Sequence, residues 1–242
     1  MVQPVAGSSG DGRLPLVPKM SRVPASDELT LLPERTSLPR GLSALSEAEV
    51  AASQRGRIMQ AITEEVAEHG YHACSVQGVI RRAGVSRGAF YGAFADKEDA
   101  FQAAHVAASQ QLLDLIAAAV REAPAGDWRA RHRAGVVAYL EGFMSAPAYA
   151  VSFMVELRAA GPRLLEQRDR VLDRHARRIA AVAEEARREH PSRPALSARA
   201  ILGLAAGADE LATREIRTGP IGRLTDLAEP ILEFHLAVIA PA

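Results

Sequence analysis

The chain has one cysteine, Cys74, among 242 residues. That excludes an intrachain disulfide and any cluster of thiolate metal ligands, and it fits a reducing, cytoplasmic setting. Aromatic residues are scarce at 5%, although 48% of the chain is hydrophobic. A core must therefore be built from Ala, Leu and Val, which suits packed helices. Net charge is absent too, since 29 basic residues stand against 29 acidic ones. A balanced chain has no overall field with which to coat a polyanion, so attraction to phosphate must be local. No apolar run approaches the roughly 20 residues that cross a bilayer. Nor does a continuous apolar segment follow the first charges, as it does in a signal peptide. Strand-like two-residue periodicity and internal repeats are both missing. So are the Gly-x-Ser-x-Gly, His/Glu metal, phosphate-loop and Cys/His signatures of catalysis. His175, His190 and His235 show no metal-ligand spacing. The expectation is an all-α chain of about nine helices that is not an enzyme and needs no metal or cofactor.

Composition divides what is present. Residues 1–44 hold Pro4, Pro15, Pro18, Pro24, Pro33 and Pro39 with Gly7, Gly10 and Gly12, too little apolar surface to offset ordering. They read as a disordered tail, with Leu29–Leu32 as a short patch able to dock. Order begins near Leu45, where Ser46 and Glu49 have capping-box spacing and Leu45 and Val50 the spacing of a hydrophobic staple. Ile58, Ile62 and Val66 then recur at i, i+4, i+8 up to His69-Gly70. Asp96 is placed to cap a long helix from Lys97 to about Glu122, with Asp99 in its first turn. Further helices are expected at 128–146, 148–159, 163–189, 195–217 and about 225–239, punctuated by Pro147, Gly161-Pro162, Pro191 and Gly219-Pro220. Pro230 either kinks the last helix or marks its first turn.

Residues 70–95 carry the strongest signal. They contain Arg81, Arg82 and Arg87 and no acidic side chain, a local asymmetry that points to a polyanion. Ser75 is a good N-cap, and Val76, Val79, Ile80 and Ala83 make one buried stripe. Gly84 supplies a tight turn, Val85 fills the gap between two helices, and Ser86 caps the second. Phe90 and Phe94 point inward, which leaves Arg87, Gly88, Tyr91 and Gly92 outside. Free N–H groups at a helix start suit phosphate, an Arg bridges guanine O6 and N7, and bare glycines let a backbone approach DNA. Each glycine lowers helix stability by roughly 1 kcal/mol relative to Ala, so two on one outer face call for a reason. Cys74 has two readings: a thiol at a helix start with a lowered pKa, or a small apolar filler.

Ala83-Gly84-Val85-Ser86, Phe90-Tyr91, Phe94 and Lys97, after a capped helix ending in Gly70-Tyr71, resemble the N-terminal domain of the tetracycline-repressor-like (TetR) transcriptional regulators over residues 52–105. The resemblance implies base-edge contacts from Gln77, Arg87 and Gly88 and phosphate contacts from Ser75, Tyr91 and Lys97, with Ser86 beside them at the helix start. Gly78, Arg81 and Ala93 depart from the family pattern, which has an acidic or amide residue, a small residue and a His there. The implied organisation is a helix-turn-helix DNA-binding domain at 45–105 and a helical effector-binding and dimerisation domain at 106–242. A ligand-released homodimeric repressor on a palindromic site is the expected function. An all-α carrier or enzyme with an incidental helix-turn-helix is the alternative.

The C-terminal half is less explicit. Ile201, Leu204, Ala208, Leu211 and Ala212 make one face of 195–217, where Gly203 and Gly207 permit close helix approach. Ile231, Phe234 and Val238 share a face of the last helix. These two faces are the expected dimer interface. Aromatic and sulfur side chains gather at 128–158, so Tyr139, Phe143, Met144, Phe153 and Met154 are the expected lining for an apolar or amphipathic effector. His132, Glu141, Glu156 and Arg158 read either as polar handles there or as solvated groups.

Overall fold

The computed structural model describes residues 46–241. The expected tail at 1–44 and the staple residue Leu45 lie outside them. Within the described residues the chain is all helical and has no strand.

Helix α1 (Glu47–His69) starts at the expected capping box. The Ser46 hydroxyl accepts the Glu49 N–H at 3.3 Å, while the Ser46 N–H donates to the Glu49 carboxylate at 2.8 Å. Ile58, Ile62 and Val66 form its fully buried stripe. Helices α2 (Val76–Ala83) and α3 (Arg87–Ala93) follow, capped by the Ser75 and Ser86 hydroxyls. Gly84 ends α2 with φ of 62°, a left-handed conformation that glycine adopts without strain. Val79 and Ala83 are buried, whereas Val76 and Ile80 are only partly covered. Phe90 and Phe94 point inward as expected.

Helix α4 (Lys97–Glu122) is capped by Asp96 and connects this head to the rest of the molecule. It is the one helix among the described residues long and apolar enough to cross a membrane by length and composition. Its apolar residues pack instead on α1, α5 and α7. Helix α5 (Trp128–Ser145) lies close against it, because a Cβ at Gly142 would collide with Leu112 Cδ1.

Pro147 and Pro162 both stand at first helical positions, where the missing N–H is no loss. Between them the expected single helix at 148–159 is three pieces: α6 (Pro147–Ala150), a π-helical turn at Val151–Val155 and a 3-10 turn at Glu156–Ala160. Helix α7 (Pro162–Glu189) and α8 (Ala198–Thr218) pack together. The final expected helix is divided, with a 3-10 turn at Ile221–Leu227 and α9 at Ala228–Ile239. Pro230 falls in the first turn of α9, which settles its role. A continuous core runs from Ile58 in α1 to Leu232 in α9, so the head and the larger domain share one interior. Two polar ties bridge them: Ser152 Oγ donates to Thr63 O at 2.6 Å, and the Tyr71 N–H donates to Glu156 at 3.1 Å.

Candidate DNA interface and effector cavity

Four cations position α2 and α3. Arg57 donates to Ala83 O and Gly84 O at 3.2 and 3.3 Å, closing the C-terminus of α2. Arg55 donates to Ala93 O at 2.7 Å at the end of α3, and its guanidinium lies 4.2 Å from the Phe94 ring centroid. Both place positive charge where a helix dipole is negative. Lys97 Nζ donates to Tyr71 O at 2.8 Å and Cys74 O at 3.0 Å, and sits 4.4 Å from the Tyr71 ring centroid. Lys97, expected as a phosphate contact, thus has its ammonium held by the turn before α2. Arg82 pairs with Glu64, Glu65 and Glu68 of α1, so it too belongs to the scaffold. Gly78 makes room for this network, since a Cβ there would lie 2.6 Å from Glu65 Oε2. Arg55 and Arg57 escaped the sequence reading because their partners lie 26 to 38 residues away.

What remains on the outside is polar and cationic. Ser75, Gln77, Arg81, Ser86, Arg87, Gly88, Tyr91 and Gly92 are exposed. The Ser75 and Ser86 hydroxyls accept the N–H groups of Gly78 and Ala89 and keep their own hydrogens to donate. Arg87 lies 5.5 Å from the Tyr91 ring centroid, so the two exposed side chains support each other along α3. A Cβ at Gly92 would meet nothing within 4 Å, and at Gly88 only Ser86 Oγ at 3.8 Å. No packing within the subunit requires either glycine. Cys74 is buried and its thiol is pushed up to about 11 by desolvation, so the filler reading holds and the reactive one does not.

A cavity of about 280 Å³ opens between α4, α5 and α7, with Ala208, Ile231 and His235 closing its far side. Its walls are mostly aliphatic, but three histidines face it. The apparent isolation of His175 and His235 in sequence, and the solvated alternative for His132, are corrected by the fold. His132 Nε2 lies 3.0 Å from His235 Nδ1, and His235 Nε2 lies 3.1 Å from Leu204 O. A carbonyl only accepts, so His235 carries its hydrogen on Nε2 and accepts from His132 Nε2–H through Nδ1. Burial holds His132 down at about 3 and His175 at about 4, and it lowers His235 as well. The cluster is neutral at physiological pH. At the mouth stand Arg121, Arg178 and the Arg131–Glu185 pair, bonded at 2.8 Å. Arg178 is lowered by burial and by the nearby Arg121 and Arg174 charges, despite Asp114. Among the described residues no group of three His, Cys, Asp or Glu could hold a metal ion.

A smaller chamber of about 50 Å³ lies deeper, and Ile116, Tyr139 and His175 line both spaces. Of the residues expected to line an effector site, Tyr139, Phe143, Phe153 and Met154 line this chamber, whereas Met144 lines neither space. Glu156 and Arg158 are engaged elsewhere, with the Tyr71 N–H and Glu210. The expected dimer face is likewise only partly outside. Ile201, Leu204 and Ile231 are buried within the subunit and belong to its core. Leu211 and Phe234 are 38% and 40% exposed, and Leu202 and Gly203 are exposed beside them. Gly207 seats the Phe234 ring of the same chain, since a Cβ there would lie 2.8 Å from Phe234 Cε1. Val238, one turn further along α9, is partly buried.

Residues 58–104 match the family model described as bacterial regulatory proteins, tetR family. No curated protein sequence matches the chain. Several solved structures share the fold. The fatty acid degradation regulator FadR of Bacillus halodurans is 23% identical with a TM-score of 0.69, covering 77% of this chain and 96% of its own. FadR of Bacillus subtilis, solved with stearoyl-CoA, is 20% identical with a TM-score of 0.66, covering 77% and 98%. The ketosteroid regulator KstR2 of Mycobacterium tuberculosis is 19% identical with a TM-score of 0.57, covering 76% and 94%.

Proposed function

We propose that the chain is a transcriptional regulator of the tetR family, a homodimeric repressor that an amphipathic effector releases from a palindromic DNA site. The observation that carries the DNA reading is the outer face of α3. Arg87 and Tyr91 stand exposed there beside Gly88 and Gly92, which no packing within the subunit requires, while Arg55, Arg57, Arg82 and Lys97 hold the helices that present them. A carrier or enzyme would have no use for a bare, cationic helix so rigidly mounted. The protein acts where the DNA is, in the cytoplasm.

The effector reading rests on the cavity's division of polarity. Aliphatic walls suit a hydrocarbon body, and Arg178 shares the mouth with Arg121 in a setting that disfavours the Arg178 charge. An anionic head placed there would relieve that repulsion. The stearoyl-CoA seen in the Bacillus subtilis FadR structure is an amphipathic anion of the same general kind.

The test is anisotropy titration of DNA from upstream of the protein's own gene, with and without candidate effectors. Arg87→Ala should weaken binding by about 1–3 kcal/mol and relax preference at one base pair. Uniform weakening across unrelated DNA sequences would show that Arg87 contacts phosphate and does not read a base.

A further inference from the structure

The inner chamber differs chemically from the cavity that leads to it. Among its largely apolar walls it holds hydrogen-bonding groups, which a plain hydrocarbon tail would leave unused. His105 on α4 faces it, is 4% exposed, and has no hydrogen-bond partner for Nδ1. Beside it the Ser109 and Tyr149 hydroxyls meet at 3.5 Å, a loose bond that leaves donor and acceptor capacity unused. The charges nearby are self-contained. Arg168 pairs with Asp209, which also receives the Tyr139 hydroxyl at 3.4 Å.

A buried ring nitrogen without a partner is destabilising, and a ligand atom that reaches it recovers that loss on binding. The ring is neutral, because burial with the Arg168 and Arg174 charges holds His105 at about 4. A neutral imidazole beside a closed ion pair offers an anion no countercharge, but its donor or acceptor suits a hydroxyl or carbonyl. We propose that the inner chamber is a recognition subsite for a neutral oxygen function at the far end of the effector, read by His105 and Tyr149. The effector class is then a chain polar at both ends: an acid head at the arginine mouth, an apolar middle along the aliphatic walls, and a hydroxyl or keto group at the tip. This rests on the effector reading above and narrows it.

The geometry sets a length requirement. The two spaces share Ile116, Tyr139 and His175 in their walls, so a chain that occupies both must be long enough to pass these side chains before its tip reaches His105. A shorter hydroxylated chain would desolvate its hydroxyl without reaching His105.

Calorimetric titration of the full chain with straight-chain alkanoic acids of eight to fourteen carbons, each beside its ω-hydroxy counterpart, tests this. The hydroxyl should weaken binding of the shortest acids and, past a threshold length, strengthen it roughly tenfold. His105→Phe and Tyr149→Phe should each remove the preference for long hydroxy acids, while the shortest plain acids bind as before. Either variant suffices if the other fails to fold. Equal affinity of plain and hydroxylated acids at every length would overturn the subsite alone. So would a preference that survives in both variants. If the plain acids also fail to bind and fail to release DNA, the effector reading falls with it.

Discussion

At the scale of single residues, the glycines of α3 make the sharpest case. Gly92 has an ordinary helical backbone and open space where a Cβ would go. Gly92→Ala should therefore raise the stability of the isolated protein by roughly 0.5–1 kcal/mol, as it does in exposed helices generally. The same methyl would stand between α3 and a groove, so DNA affinity should fall. A higher melting temperature with undiminished DNA binding would show that this face does not meet DNA. The histidines make a second case. His105, His132 and His175 are held at about 4, 3 and 4, well under their ordinary 6.5. Below pH 6.5 the unfolded chain takes up protons that the folded chain refuses, so stability falls as pH drops from about 6.5 toward 4. The slope is at most about 1.4 kcal/mol per pH unit for each histidine. Melting temperature measured from pH 7.5 to pH 5 should fall steeply over that window. His175→Leu should flatten the curve, and a flat wild-type curve would mean the imidazoles are not buried neutral.

At the scale of elements, the staple at Lys97 yields a prediction that separates two roles. Lys97→Met removes charge-assisted hydrogen bonds from Tyr71 O and Cys74 O and leaves both carbonyls in the turn before α2 without that donor. The melting temperature should drop by the equivalent of about 1–3 kcal/mol, with the salt dependence of DNA binding little changed. An unchanged melting temperature with a salt slope lower by about 1 would instead mark a phosphate contact. Lys97 also shows where sequence reading stops. Its place at the start of a capped helix was legible from Asp96 and Asp99, because capping is a matter of three-residue spacing. Its partners were not, because they lie 23 and 26 residues earlier. The same holds in the cavity: Tyr139, Phe143, Phe153 and Met154 sit in one aromatic-rich stretch and were visible, whereas the His132–His235 pair spans 103 residues. The helices themselves were read well where a cap, an apolar period and a breaker agreed, as in α1 to α4. They were read poorly at 148–159 and 221–227, where π and 3-10 turns keep an apolar pattern that periodicity cannot tell from an α-helix.

At the scale of the whole molecule, the question is what covers the α8–α9 surface. On the proposed palindromic site, two α3 helices would reach successive major grooves about 34 Å apart, which one subunit cannot do. The exposed Leu202, Leu211 and Phe234, with Gly203 open beside them, form the apolar surface on which a second copy would fit. The sequence alone had mixed these with Ile201, Leu204 and Ile231, because both faces of α8 and α9 are apolar and only packing reveals which one turns inward. That division gives a matched pair of variants. Leu211→Asp lies on the exposed face, so it should leave the subunit folded by circular dichroism, convert it to a monomer in light scattering, and lose most DNA affinity. Leu204→Asp puts a carboxylate where only 1% of the residue is accessible, and it should unfold the subunit outright. Gly207 is a poorer probe, because a side chain there would collide with Phe234 of its own chain before meeting a partner. If Leu211→Asp remained dimeric with full DNA affinity, the second copy would have to bind elsewhere, and the spacing of the two α3 helices would need another surface to set it.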